Sequence, residues 1–196
     1  MPTGILICGL NGAGKSTLGK ALAEKSGFRF LDIEDLYFPR MTPGNPYASP
    51  RSRSEVAKLL LQELSTKESF ILASVKADYG EAIYPFFQLA VLVDVPKEVR
   101  LQRVRNRSFR KFGSRMQPGG DLYEQEQRFF ELVESREENA VTEWLRALSC
   151  PVIRVDGLKS VEENAEYIMG NIREKLPGGK ACTRLGEIQP SANPPG

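Results

Sequence analysis

The chain has 196 residues, 41% apolar and 27% charged, with 27 basic against 25 acidic side chains; this is the composition of a soluble globule long enough to fold without disulfides or a structural metal. It contains no histidine, which excludes Ser-His-Asp and Cys-His nucleophile pairs, an HExxH zinc site and a histidine general base. Its three cysteines, Cys8, Cys150 and Cys182, form no CxxC pair, so no zinc knuckle or disulfide framework is expected, and reduced thiols in a cytoplasmic compartment are the plain expectation.

In chain order, short apolar runs alternate with longer amphipathic ones, the pattern of βαβ units on a parallel sheet. Strands are expected at 4–8, 28–32, 70–74, 89–93 and 152–155, almost wholly apolar as strands covered on both faces should be. Helices are expected near 15–25, 54–65, 79–87, 97–107, 121–148 and 160–175. Ser54 before Glu55 reads as a helix start, and Ser160 with Glu163 has capping-box spacing. The fold class is therefore α/β, a doubly wound five-stranded parallel sheet. A domain over 1–176 carries two irregular segments, an acceptor loop at about 39–53 rich in proline and a basic lid at about 106–120. The Pro- and Gly-rich stretch 177–196 reads as a flexible tail. No apolar run reaches the ~20 residues of a membrane span, and no signal peptide is read at the N-terminus.

The sharpest motif is Gly9-Leu10-Asn11-Gly12-Ala13-Gly14-Lys15-Ser16, followed by Thr17. It satisfies GxxxxGK[ST] between a buried strand and a helix, the setting in which backbone N–H groups and a helix N-terminus cradle phosphates. Gly9, Asn11, Gly12, Ala13, Gly14, Lys15, Ser16 and Thr17 are accordingly expected to bind ATP. Lys15 would reach the β- and γ-phosphates and the Ser16 hydroxyl Mg²⁺. The second strand ends in Asp32-Ile33-Glu34-Asp35, where carboxylates face the ligand crevice of a doubly wound sheet. They suit Mg²⁺ binding and the acceptance of a hydroxyl proton; a capping role competes for each. Residues 100–120 carry seven basic side chains and no acid, which points to a polyanionic ligand. Within them Arg103 and Arg107 share a helix face, while Leu101 and Val104 lie on a neighbouring face able to pack on the sheet.

These motifs resemble the P-loop small-molecule and nucleoside monophosphate kinases, the group of adenylate, shikimate, gluconate and uridine kinases, over roughly residues 4–175. The resemblance implies that Asp32 is the base and a Mg²⁺ ligand, with Glu34 and Asp35 behind it, and that Arg103 and Arg107 reach the transferring phosphates from a lid helix. It also implies that Gly157, in Val155-Asp156-Gly157-Leu158, lies on the adenine side. Arg51 and Arg53 stand where the family binds its acceptor, and Lys76 and Asp78 are expected to line that pocket. The third strand ends at Ser74 rather than an acid or a glycine-rich turn, a departure from the family pattern. The expected function is an ATP- and Mg²⁺-dependent phosphotransferase acting on a small-molecule hydroxyl or phosphate acceptor, as a monomer or dimer; the alternative is a nucleotide-binding regulatory ATPase with little transfer. Nucleic acid is disfavoured as a partner, because only Phe109 and Phe112 interleave the basic segment.

Overall fold

The computed structural model describes residues 2–38 and 50–175; the greater part of the expected acceptor loop and the whole expected tail lie outside them. Strands β1 (Gly4–Cys8), β2 (Arg29–Asp32), β3 (Phe70–Ala73), β4 (Leu89–Asp94) and β5 (Val152–Asp156) form one all-parallel sheet in the order β2-β3-β1-β4-β5. The chain leaves β1 towards one edge and later returns to the other side of it. The carboxyl end of β1 is thus the switch point at which such sheets bind ligands.

Alternate residues of β1 enter opposite layers, as strand geometry requires. Ile5 and Ile7 pack with Leu18 and Leu22 of α1 (Lys15–Ser26) and Ala165 and Ile168 of α7 (Val161–Lys175). Leu6 and Cys8 pack on the other face with Val56 and Leu60 of α3 (Arg53–Leu64) and Val141 and Leu145 of α6 (Ala140–Leu145). All five residues of β1 are buried, which is why the strand is continuously apolar. Burial also pushes the Cys8 thiol up to about 12, making it an inert core residue beside the phosphate loop.

Several elements differ from the sequence expectation. The five-residue helix α2 (Ile33–Tyr37) follows directly on β2, capped by Asp32, whose Oδ1 accepts from the Glu34 N–H at 3.0 Å. Helix α3 begins at Arg53 with Ser52, not Ser54, as its cap, in a reciprocal capping box with Glu55. The expected helix at 79–87 is a 3-10 helix, Glu81–Phe86, with Pro85 inside it. Helix α4 (Lys97–Phe112) runs well past 107, because the buried positions Val104, Ser108 and Phe112 continue at helical spacing. The first part of the expected lid is therefore helix, followed by a 3-10 turn at Gly113–Met116. The expected helix over 121–148 divides into α5 (Tyr123–Glu134) and α6. Val104, with Leu101 beside it, packs on Phe130 and Val133 of α5 rather than on the sheet. At the start of α7 the Ser160–Glu163 capping box is present, with Glu163 N–H donating to Ser160 Oγ at 3.2 Å and Ser160 N–H to Glu163 Oε2 at 3.1 Å. Among the described residues no helix is long and apolar enough to cross a membrane.

Candidate functional site

The sharp turn from β1 into α1 opens onto a cavity of about 830 Å³ that runs along the carboxyl ends of the strands. Gly12, at φ 84°, sits against α4 so closely that a Cβ there would lie 2.3 Å from the Arg100 carbonyl oxygen. Gly14, at φ 98°, has nothing within 4 Å of its Cβ position, so its missing side chain leaves an open cradle over the helix start. Helix α1 has no side-chain cap and no acid in its first turn; its leading N–H groups are left for an anion. Replacing Gly12 by alanine combines a disfavoured φ with a backbone overlap. It should cost roughly 2 kcal/mol or more of stability in urea denaturation; an unchanged midpoint would mean that the loop does not rest on α4 as described. Gly9 does not line this cavity. Its φ of 145° and the Val93 carbonyl 2.6 Å from its Cβ position make it a shaping residue of the turn.

Lys15 lies on the cavity wall with its ammonium donating to the Leu10 carbonyl at 3.2 Å. Burial pulls it down to about 8, against the opposing charges of Glu34 and Asp32, while Arg107 adds to the lowering. Ser16, Thr17, Asp32 and Glu34 line the same wall. Asp35 is exposed and does not line the cavity, because one further step around α2 turns it away. Among the described residues no group of three acidic or thiol ligands converges. A divalent ion here would draw on the hydroxyls of Ser16 and Thr17 and the carboxylates of Asp32 and Glu34, a sparse oxygen set of the kind that holds Mg²⁺ alongside nucleotide phosphates and water.

From α4, Arg103, Arg107 and Arg110 all border the cavity, a stripe at i, i+4 and i+7. Arg103 Nη2 donates to the Gly157 carbonyl at 3.1 Å, which places Gly157 at the same end as Lys159 and Asn164. Asn164 is buried and donates to the Asp156 carbonyl at 2.8 Å, which fixes that loop. At the opposite end, Asp78 binds both Lys76 (3.5 Å) and Arg53 (3.3 Å), and the Arg53 guanidinium lies 5.4 Å from the centre of the Tyr79 ring. Arg51 is elsewhere: its Nη1 donates to the Leu36 carbonyl at 2.8 Å and it does not line the cavity, so it ties α2 to the chain ahead of α3. Ser74, where an acid was absent from the expected pattern, is buried and bonds the Lys76 carbonyl at 2.6 Å, shaping the turn that presents Lys76 and Asp78.

Arg136, between α5 and α6, borders this second end and was not singled out in the sequence. Burial lowers its guanidinium from the usual range, with Asp78 and Tyr79 opposing the shift. Tyr79 in turn is raised by burial and by its hydrogen bond with Tyr37. Two of the three buried side-chain polar atoms without a hydrogen-bond partner among the described residues, Asn11 Oδ1 and Arg136 Nε, belong to residues lining the cavity. Unpaired buried polar atoms are costly, and here they fall on two residues of the cavity wall. Eight cationic side chains face three carboxylates around this one space, so its field favours a multiply charged anion.

The AAA domain family model matches residues 5–115. The uncharacterized protein YqaC of Bacillus subtilis (strain 168) is 30% identical over 177 residues, 86% of this chain and 97% of its own. Among solved structures, a shikimate kinase from Acinetobacter baumannii in complex with shikimate aligns with 91% of this chain and 97% of its own at 21% identity and TM-score 0.54. A gluconokinase from Sinorhizobium meliloti 1021 aligns with 89% and 98% at 17% identity and TM-score 0.54. The sheet and its helices thus share the fold of these two solved structures.

Proposed function

Because this chain belongs to the AAA domain family, we propose that it is a phosphotransferase that moves the γ-phosphate of ATP to a small hydroxylated acceptor bearing a carboxylate or phosphate. One observation carries this reading: a single cavity joins the phosphate loop, with Lys15 and the α4 arginines, to a separate cationic end built from Arg53, Lys76 and Arg136. A simple ATPase needs only the first part. The shikimate and gluconate kinases that share the fold act, by their names, on small hydroxylated acids, the chemistry that the second part suits.

In this reading the phosphate loop and the start of α1 bind the triphosphate, and Lys15 stabilises the charge that shifts to the β- and γ-oxygens. Mg²⁺, held by Ser16 and Asp32, would neutralise phosphate charge. Asp32 spends Oδ1 on the Glu34 N–H, which holds the carboxylate in place; a carboxylate has further lone pairs to accept the acceptor's hydroxyl proton. Arg103, Arg107 and Arg110 neutralise the transferring group, their forks matching its oxygens. Arg136 and Arg53 grip the acceptor's anion, and Asp78 fixes Arg53 and Lys76 for that task.

Two measurements bear on this. Incubation with Mg-ATP and a panel of hydroxy acids, sugar phosphates, nucleosides and nucleotides should raise ADP release with an anionic class. A slow rate that no acceptor moves would instead mark a nucleotide-dependent regulatory ATPase. ADP binding should also depend on pH. The ammonium form of Lys15 binds phosphate, and in the free protein that form is lost as pH rises through about 8. Kd should therefore rise by roughly thirtyfold between about pH 7 and about pH 9.5, and the Lys15→Arg variant, whose charge persists, should flatten the curve. Equal pH profiles for the two proteins would show that Lys15 does not titrate at the site.

A further inference from the structure

We propose that Arg100 and Glu138 act as a positioning pair that sets where Arg136 stands relative to the phosphate-binding arginines of α4. Arg100 lies one turn before Arg103, and its side chain is only 3% exposed. Its Nε donates to the Val95 carbonyl at 3.0 Å, and its Nη2 meets Glu138 Oε1 at 2.5 Å. The same residue's backbone is the surface on which Gly12 of the phosphate loop rests. One buried guanidinium therefore touches the end of β4, the helix carrying Arg103, Arg107 and Arg110, and the linker between α5 and α6. A cavity of about 80 Å³ bordered by Arg100, Glu138, Gly9 and Leu10 lies behind the phosphate loop, so the pair stands at the back of the nucleotide site, outside the main cavity.

Arg136 precedes Glu138 by two residues in that linker and makes no hydrogen bond of its own among the described residues. Its guanidinium is placed by the path of the linker. The linker's ion pair with the rest of the fold is Glu138 to Arg100, and α6 beyond it is held by its own buried Val141 and Leu145. Arg100 is buried while Glu138 is half exposed; such a pair is a poor source of net stability, but its geometry is specific, and removing Glu138 leaves the buried Arg100 charge uncompensated. Here that specificity fixes the distance between the end of the cavity that holds nucleotide phosphates and the end that holds the acceptor anion. The roles of those two ends rest on the kinase reading; the mechanical link does not.

The test uses the full chain. Because Glu138→Ala leaves the buried Arg100 charge without its carboxylate, circular dichroism first checks that the variant is folded, and Glu138→Gln carries the comparison if it is not. Phenylglyoxal labelling, followed by peptide mass spectrometry, reads each arginine separately without substrate or turnover. In Glu138→Ala the rate at Arg136 should rise roughly fivefold or more while Arg103 and Arg107 stay within about twofold, and Glu138→Gln, which keeps the acceptor oxygen, should restore most of the slow rate. An unchanged rate at Arg136, or a uniform rise at all three arginines, would overturn the proposal. In turnover, Glu138→Ala should raise the acceptor KM by about tenfold with the ATP KM within about twofold, and should have no further effect in an Arg136→Ala background. Additive effects would overturn the link through Arg136. If no acceptor supports transfer, the kinase reading falls while the labelling result still decides the pair.

Discussion

Replacing Lys15 by methionine should lower kcat/KM for phosphoryl transfer by about a thousandfold while leaving the unliganded protein at least as stable as the wild type. The first effect follows from removing the half-buried charge that meets the phosphates on the cavity wall; a single preorganised donor at such a site is worth about 10²–10³ in rate. The second follows from the same burial that pulls the Lys15 ammonium down to about 8. A buried cation opposes folding until a ligand compensates it, whereas methionine keeps the aliphatic stem and has no charge to desolvate. Below about pH 8 the wild-type protein bears the full cost of the ammonium. Between about 8 and the unfolded value of 10.5 the folded state has already released its proton, and the cost is relieved. The stability gain of the variant should therefore be largest at neutral pH and fade as pH rises. Thermal melts across pH together with steady-state kinetics check both halves; a variant that loses stability and keeps its rate would remove Lys15 from the site.

Replacing Arg136 by alanine should raise the acceptor KM by roughly tenfold to a hundredfold and leave the ATP KM nearly unchanged. Arg136 lines the cavity at this end, so its guanidinium is placed for a charge-assisted hydrogen bond with the acceptor; such bonds contribute about 1.5–3 kcal/mol. The cost of desolvating the half-buried guanidinium, visible in the direction of its shift, disappears in the variant, so little loss of stability should accompany the loss of affinity. An equal rise in both KM values would place Arg136 on the nucleotide side instead.

Much of this architecture was legible because its signals are local. The apolar runs of β1 and β4 and the glycines and lysine of the phosphate loop lie within a few residues of one another, and no tertiary contact is needed to read them. The α4 stripe was half legible: Arg103 and Arg107 were found by spacing, and Arg110 continues the same stripe, but the basic run after 107 concealed the buried Ser108 and Phe112 that prolong the helix. Arg51 and Arg53 could not be told apart in sequence. Only the capping of α3 by Ser52 turns Arg53 to Asp78 while Arg51 returns to Leu36. In sequence Asp35 stands beside Asp32 and Glu34, and only the short helix α2 turns it from the cavity that those two line. Arg136 had no local signal. It lies in a charged stretch that reads as helix surface, and it reaches the cavity because the chain breaks between α5 and α6, where Glu138 meets an arginine 38 positions earlier.

A cavity with a separate cationic end beyond the phosphate loop should pass a phosphoryl group to an acceptor rather than to water. Following the label from γ-³²P-ATP in the presence of the acceptor that most stimulates ADP release tests it most directly. The label should leave in the acceptor, with inorganic phosphate a minor product, and Arg136→Ala should shift the partition towards inorganic phosphate. Label appearing only in inorganic phosphate, at a rate indifferent to every acceptor and to Arg136→Ala, would contradict it.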